Sequence, residues 1–302
     1  MLKSLSRLGG SANKMSLLKH NCSSSAAVPQ YETLAVTEHS PYVFQVELNR
    51  PTKLNALNQA MWREIGEAFR ALSDNPDCRT VVLSGSGRAF TAGIDLMDFS
   101  GTLASSEEED IARRCNRLHK MIRYFQDSIS AIEKCSKPVI CAVHGACVGA
   151  GVDIACSADI RLCSADAWFT IKEVDVGLAA DIGTLQRLPK AIGSRSLVNE
   201  LALTARKFLA PEAKECGFVS SVFPDKESLT KAAFEMASGI AAKSPVAIQM
   251  TKRSLVYSRD HTVDESLEHI AAWNQSLLQS EDLLKSAMAV ATKGPRPEFS
   301  KL

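Results

Sequence analysis

The stretch KPVICAVHGACVGAGVDIACSADIRL, Lys137 to Leu162, decides the reading of the fold. It opens with the uninterrupted apolar run Val139–Val143, as a strand covered on both faces should. A tract of Gly, Ala and Cys follows, ACVGAGVDIACSAD. Side chains that small let backbones approach closely and predict a tightly packed helix. IRLCSA, from Ile160, returns the chain to an extended run. Strand, glycine-rich turn, helix and strand make an α/β unit.

The same alternation extends outward. YVFQVELNR, Tyr42–Arg50, alternates apolar and polar residues as a half-buried strand does, and Pro51 stops it. Met61, Ile65, Phe69 and Leu72 then recur at helical spacing, with Asn58 placed to cap the helix. Thr80–Gly85 reads as a short buried strand and Glu107–Lys134 as a long helix. WFTIKE, from Trp168, reads as another strand. From Gly183 onward the pattern is mainly helical, including DKESLTKAAFEMASGIAAKS and a long terminal segment with a break. The fold class expected is α/β with a helical C-terminal region from about residue 200.

With 45% apolar residues among 302, a large core is available. A net charge of +1 gives no pull toward nucleic acid or a membrane surface. Val139–Ile160, the longest apolar candidate, is broken by His144, Asp153, Asp159 and several glycines, so no membrane span is expected. The nine cysteines are odd in number and none is spaced CxxC. Reduced, buried thiols in a reducing compartment follow. The six histidines form no HxxxH or HExxH pair, so no metal site is expected, and His144 reads as structural. No GxSxG elbow, phosphate loop or GxGxxG fingerprint occurs.

Two loops after buried strands remain as chemistry-bearing candidates: AFTAGIDL, Ala89–Leu96, and HGACVGAGVD, His144–Asp153. Small residues expose backbone N–H groups, and the second loop leads into a helix N-terminus, which favours negative charge. Two such N–H groups converging would form an oxyanion hole. A third candidate is KEVDVGLAADIG, Lys172–Gly183, which places Glu173, Asp175 and Asp181 in an apolar run. Buried acids are expensive unless paired or hydrogen-bonded.

The segments ELNRPTKLNALN, GSGRAFTAGIDL, KPVICAVHGACVGAGVDIACSADIRL and FTIKEVDVGLAADIGTLQRLPK together resemble the crotonase (enoyl-CoA hydratase/isomerase) superfamily, in its order and spacing, over about residues 33–295. The resemblance implies a fold of repeated ββα units assembled as homotrimers or dimers of trimers. It implies acyl-CoA thioester substrates, with no cofactor beyond the coenzyme A that is part of the substrate. It also implies that two backbone amides, here those of Ala92 and Ala150, hold the thioester oxygen. Gly93, Ile94, Asp95 and Leu96 fall in the same substrate-binding loop, with Asp95 supporting loop geometry or the coenzyme A portion.

Hydratases of the superfamily resemble one another in having Glu at the position of Asp153, Glu at that of Glu173 and Gly at that of Asp181. The two departures resemble instead the branch that converts 3,5-dienoyl-CoA to 2,4-dienoyl-CoA in fatty acid β-oxidation. In that reaction a proton leaves C2 and another arrives at C6. Two separated carboxyl groups suit both ends of a diene. Glu173 is then the candidate at C2 and Asp181 at C6, though the sequence leaves the reverse assignment open. Asp153 supports them from within the pocket. Asp175 is expected to be structural, pairing with a base such as Arg187. An enoyl-CoA hydratase, or a non-catalytic homologue that binds acyl-CoA or RNA, are the alternatives.

Both ends carry addresses. Residues 1–30 hold Lys3, Arg7, Lys14 and Lys19, five serines from Ser4 to Ser23, and no acid, as a mitochondrial presequence does. Ser300-Lys301-Leu302 is a peroxisomal import signal that works only when exposed. Residues 31–302 would then form one domain, acting in the mitochondrial matrix and the peroxisome, with organelle import receptors among its partners.

Overall fold

A computed structural model describes residues 30–103 and 109–302. The basic segment before residue 30 and the expected helix start at Glu107 lie outside them. The chain begins as a hairpin of β1 (Leu34–Ser40) and β2 (Val43–Leu48), and a 3₁₀ turn at Pro51–Lys53 leads to α1 (Gln59–Asp74). β3 (Thr80–Gly85), α2 (Leu96–Leu103) and α3 (Ile111–Lys134) follow. The decisive stretch folds as β4 (Val139–Val143), β5 (Ala146–Val148) and α4 (Ala150–Ser157), before β6 (Ile160–Ser164) and β7 (Trp168–Thr170). A 3₁₀ turn at Glu173–Val176 precedes α5 (Thr184–Ala191), α6 (Arg195–Thr204), β8 (Phe208–Leu209), α7 (Ala210–Glu215) and β9 (Ser221–Phe223). Four helices close the chain: α8 (Lys226–Ala241), α9 (Pro245–Tyr257), α10 (Val263–Leu277) and α11 (Glu281–Thr292).

Six strands form the main sheet in the order β1-β2-β3-β4-β6-β9, parallel except for the β1–β2 hairpin. A second sheet has the order β5-β7-β8. The apolar runs of β3 and β4 are explained by burial on both faces. Val81, Leu83, Val139, Cys141 and Val143 pack into the core shared with α1, α3 and α4. Their alternates Val82, Ile140 and Ala142 pack against Leu229, Ala233 and Ala237 of α8. Asn58 caps α1 by accepting from Met61 N at 3.1 Å.

Lys252 of α9 is buried and ties that helix to the sheet. Its Nζ lies 2.7 Å from Asp159 Oδ2 and donates to Lys137 O at 2.9 Å. His144 Nε2 lies 3.0 Å from Gly87 O, where it bridges two loops. The eight described cysteines carry free thiols. No helix among the described residues is long and apolar enough to cross a membrane. At the C-terminus, the carbonyls of Phe299 and Ser300 accept from Arg79 Nη2 and Lys301 pairs with Asp77.

Candidate active site

The two glycine-rich loops meet. Thr91 N donates to Ala146 O (3.0 Å) and Val148 N to Thr91 O (3.2 Å), so the first loop runs beside β5. Gly93 has φ +88°, and a Cβ there would stand 2.7 Å from Val148 O. Only glycine allows that approach. On the far side Leu57 N donates to Gly93 O and Asp95 N to Leu57 O. A parallel bridge of that kind turns the N–H of the intervening Ile94 the other way. Gly149, with φ +51°, caps α4 and places Ala150 at its first position.

The amide assignment needs a correction. Ala92 N–H donates to Leu54 O at 2.9 Å and is not free to meet a ligand. The N–H groups of Ile94 and Ala150 have no partner among the described residues. Leu54 and Asn55 both adopt left-handed conformations, at φ +50° and +54°, which aims the Leu54 carbonyl at the loop. Asparagine is enriched in that region, whereas nothing in leucine announces it.

The three candidate acids come together around α4. Asp153 is buried one turn into the helix, and its Oδ1 accepts from Thr184 N (2.6 Å) and Thr184 Oγ1 (2.7 Å). Burial pushes its carboxyl up to about 7; the Thr184 bonds resist and the Glu173 charge adds to the rise. Glu173 opens the 3₁₀ turn, with Oε1 lying 3.3 Å from where a Gly149 Cβ would stand. Its Oε2 is buried with no hydrogen-bond partner. Burial raises its pKa, and the charge of Asp181 raises it further. Asp181 is solvent-accessible as a residue, yet partial desolvation of its carboxyl raises its pKa as well. Gln126 Nε2 donates to the backbone carbonyl of Asp181 at 2.6 Å, and Arg123 Nη1 donates to Gln126 Oε1 at 2.8 Å.

Asp175 does not pair with Arg187. The 3₁₀ turn directs it back onto Lys172, an exposed pair, while Arg187 binds Glu133 at 3.0 Å. Asp95 holds Arg50 (3.1 Å), and that guanidinium keeps its carboxyl below the usual range although burial opposes this. Asp95 therefore braces the loop.

A cavity of about 310 Å³ unites these parts. Ile94 and Ala150 lie on its wall, with Ala92, Gly93 and Leu96 beside them, and Asp153, Glu173 and Asp181 supply its acids. Apart from Lys172, the remaining surface is mainly apolar, from Trp62, Phe99, Met121, Phe125, Val176 and Leu178. Low polarity strengthens each charge interaction inside and keeps a carboxyl group neutral near neutral pH.

A family model described as enoyl-CoA hydratase/isomerase matches residues 38–300. The chain belongs to the enoyl-CoA hydratase/isomerase family. Among relatives of this family, the mitochondrial Delta(3,5)-Delta(2,4)-dienoyl-CoA isomerase of Rattus norvegicus is 53% identical over 274 residues, 90% of this chain and 84% of that one. The peroxisomal protein of the same activity name from Arabidopsis thaliana is 44% identical, over 90% of this chain and 98% of its own. The crystal structure of an enoyl-CoA hydratase from Bacillus anthracis superposes with a TM-score of 0.80 at 26% identity, covering 89% of this chain and 99% of that one. The crotonase-like α/β fold expected from the sequence is therefore the fold present. The walls supplied to this family site by Trp62 of α1 and by Met121 and Phe125 of α3 went unread in the sequence, as did Gln126. Their helical spacing marks a buried face without saying whether it lines a core or a cavity.

Proposed function

We propose that this enzyme isomerises 3,5-dienoyl-CoA to 2,4-dienoyl-CoA in fatty acid β-oxidation. The relatives named for that activity at 53–55% identity support the reaction class. One observation carries the mechanism: a buried, unpartnered Glu173 carboxylate oxygen and a second raised carboxyl at Asp181 face one apolar cavity.

The amides of Ile94 and Ala150 hold the thioester oxygen, Ile94 taking the role first given to Ala92. Glu173 removes a proton from C2, and charge builds on that oxygen. The electron pair forms the C2–C3 double bond, the C3–C4 pair moves to C4–C5, and the C5–C6 pair takes a proton from Asp181 at C6. Each double bond shifts one carbon, with no other reactant. Asp153 ties α4 to Thr184 and so fixes the oxyanion helix relative to the loop that bears Asp181. Coenzyme A enters as part of the substrate.

The protein works as a homotrimer or a dimer of trimers. Exposed apolar side chains on the last helices, including Leu267, Leu284, Met288 and Val290, support such an assembly. Sedimentation at micromolar concentration reads it, and a monomer there refutes it. The basic segment of residues 1–30 and the Ser300-Lys301-Leu302 terminus address it to the mitochondrial matrix and the peroxisome through the respective import receptors. A fusion lacking residues 1–29 should lose mitochondrial import.

The activity test is spectroscopic. Turnover of 3,5-dienoyl-CoA conjugates the diene to the thioester and shifts its ultraviolet absorbance. The expected result is rapid conversion with negligible hydration of crotonyl-CoA; efficient hydration without diene conversion makes the protein a hydratase instead.

A further inference from the structure

A second cavity, of about 560 Å³, lies behind the first and is lined mainly by polar and charged groups, among them Gln126, Ser130, Glu133, Gln186 and Arg187. Asp181 and Ile182 line both cavities and form the wall between them. Glu173 lines only the apolar one. Asp181 is exposed, whereas Glu173 Oε2 is shut away from water. The wall is pinned from behind: Gln126 holds the Asp181 carbonyl, and Arg187 reaches the Ile182 carbonyl at 3.4 Å while bonding Ser130 Oγ at 2.9 Å.

The two-carboxylate reaction, on which this inference rests, leaves a proton imbalance. One turnover moves a proton from C2 to Glu173 and another from Asp181 to C6. The enzyme is left with a neutral Glu173 and an ionised Asp181, and both must be reset. A direct return would have to cross the apolar cavity, which the acyl chain fills while product is bound. On the other side of the Asp181–Ile182 wall lies the polar cavity.

We propose that the polar cavity is a proton-return path: Asp181 reloads from water through it, while Glu173 holds the proton taken from C2 until product leaves. The two carboxyl groups then differ in solvent exchange as well as in position. The proton delivered at C6 originates in water, and the proton removed from C2 stays in the dry chamber during the encounter.

The wild-type enzyme tests this in deuterium oxide over many turnovers, with product and remaining substrate analysed by NMR and mass spectrometry at low conversion. The expected product carries one deuterium at C6, and recovered substrate carries none at C2. Product with hydrogen at C6 means internal relay and overturns the proposal, as does deuterium at C2 of recovered substrate. A Gln186→Leu variant, which removes a polar group from the cavity and leaves the Gln126 and Arg187 contacts in place, should keep the first-turnover rate and lower the steady-state rate several-fold. Unchanged rates in both phases, in a folded variant, overturn the assignment of the path to this cavity. Absence of any isomerisation by the wild type removes the two-carboxylate reading itself, a failure distinct from unlabelled turnover.

Discussion

Replacing Asp153 by Asn should change how stability depends on pH. The native carboxyl titrates at about 7, against an ordinary value of 3.8. The folded state thus holds this proton more tightly than the unfolded state does. Stability is highest below the unfolded value and falls as pH rises from there through the folded value. The full penalty at alkaline pH is about 4 kcal/mol, from a rise of some three pH units at ~1.4 kcal/mol each. Between pH 5 and pH 8 the part lost is about 2–3 kcal/mol. Asn keeps an oxygen for the two Thr184 donors and has no charge to bury. Urea unfolding of both proteins at fixed concentration, at pH 5, 6, 7 and 8, should show the variant gaining on the wild type by that amount toward high pH. Parallel stability profiles would refute the burial argument for Asp153.

Gly149→Ala should cripple the site. The new Cβ meets Glu173 Oε1 at 3.3 Å, at a backbone conformation of φ +51° and ψ −115° that costs a non-glycine residue ~1–3 kcal/mol. A fall in kcat larger than any fall in thermal stability is the expected pattern, and wild-type turnover contradicts it. Lys252→Met removes a buried cation from Asp159 and from two backbone carbonyls. It should cost about 3 kcal/mol in urea unfolding, with kcat unchanged in the folded fraction; a loss below about 1 kcal/mol, the range of an exposed pair, contradicts the clamp.

The sheet and first helices were readable because their signals are local and periodic. Val139–Val143 is a strand covered on both faces, and Asn58 caps α1 three residues before Met61. The second sheet was only partly readable, because β8 is two residues long and shows no period. The three acids were legible as types, since an acid in an apolar run needs a reason. Their partners were not. Asp153 meets Thr184 and Asp181 meets Gln126 across 31 and 55 positions of chain. The Ala92 error has a backbone cause: Ala92 and Ile94 both flank Gly93, and the Leu54 carbonyl, set by backbone geometry, decides which N–H is left free. Asp175 was misplaced because an extended chain and a 3₁₀ turn point the residue after next in different directions.

The division of labour between two carboxyl groups is tested most directly by measuring 3,5-dienoyl-CoA conversion by Asp181→Asn and Glu173→Gln side by side with the wild type, each checked for native circular dichroism. General acid–base contributions of this kind are worth ~10²–10⁴ in rate. Both variants should stay folded and lose activity by such a factor. Near wild-type conversion of the diene by folded Asp181→Asn would contradict proton delivery from Asp181 and leave a one-carboxylate enzyme in its place.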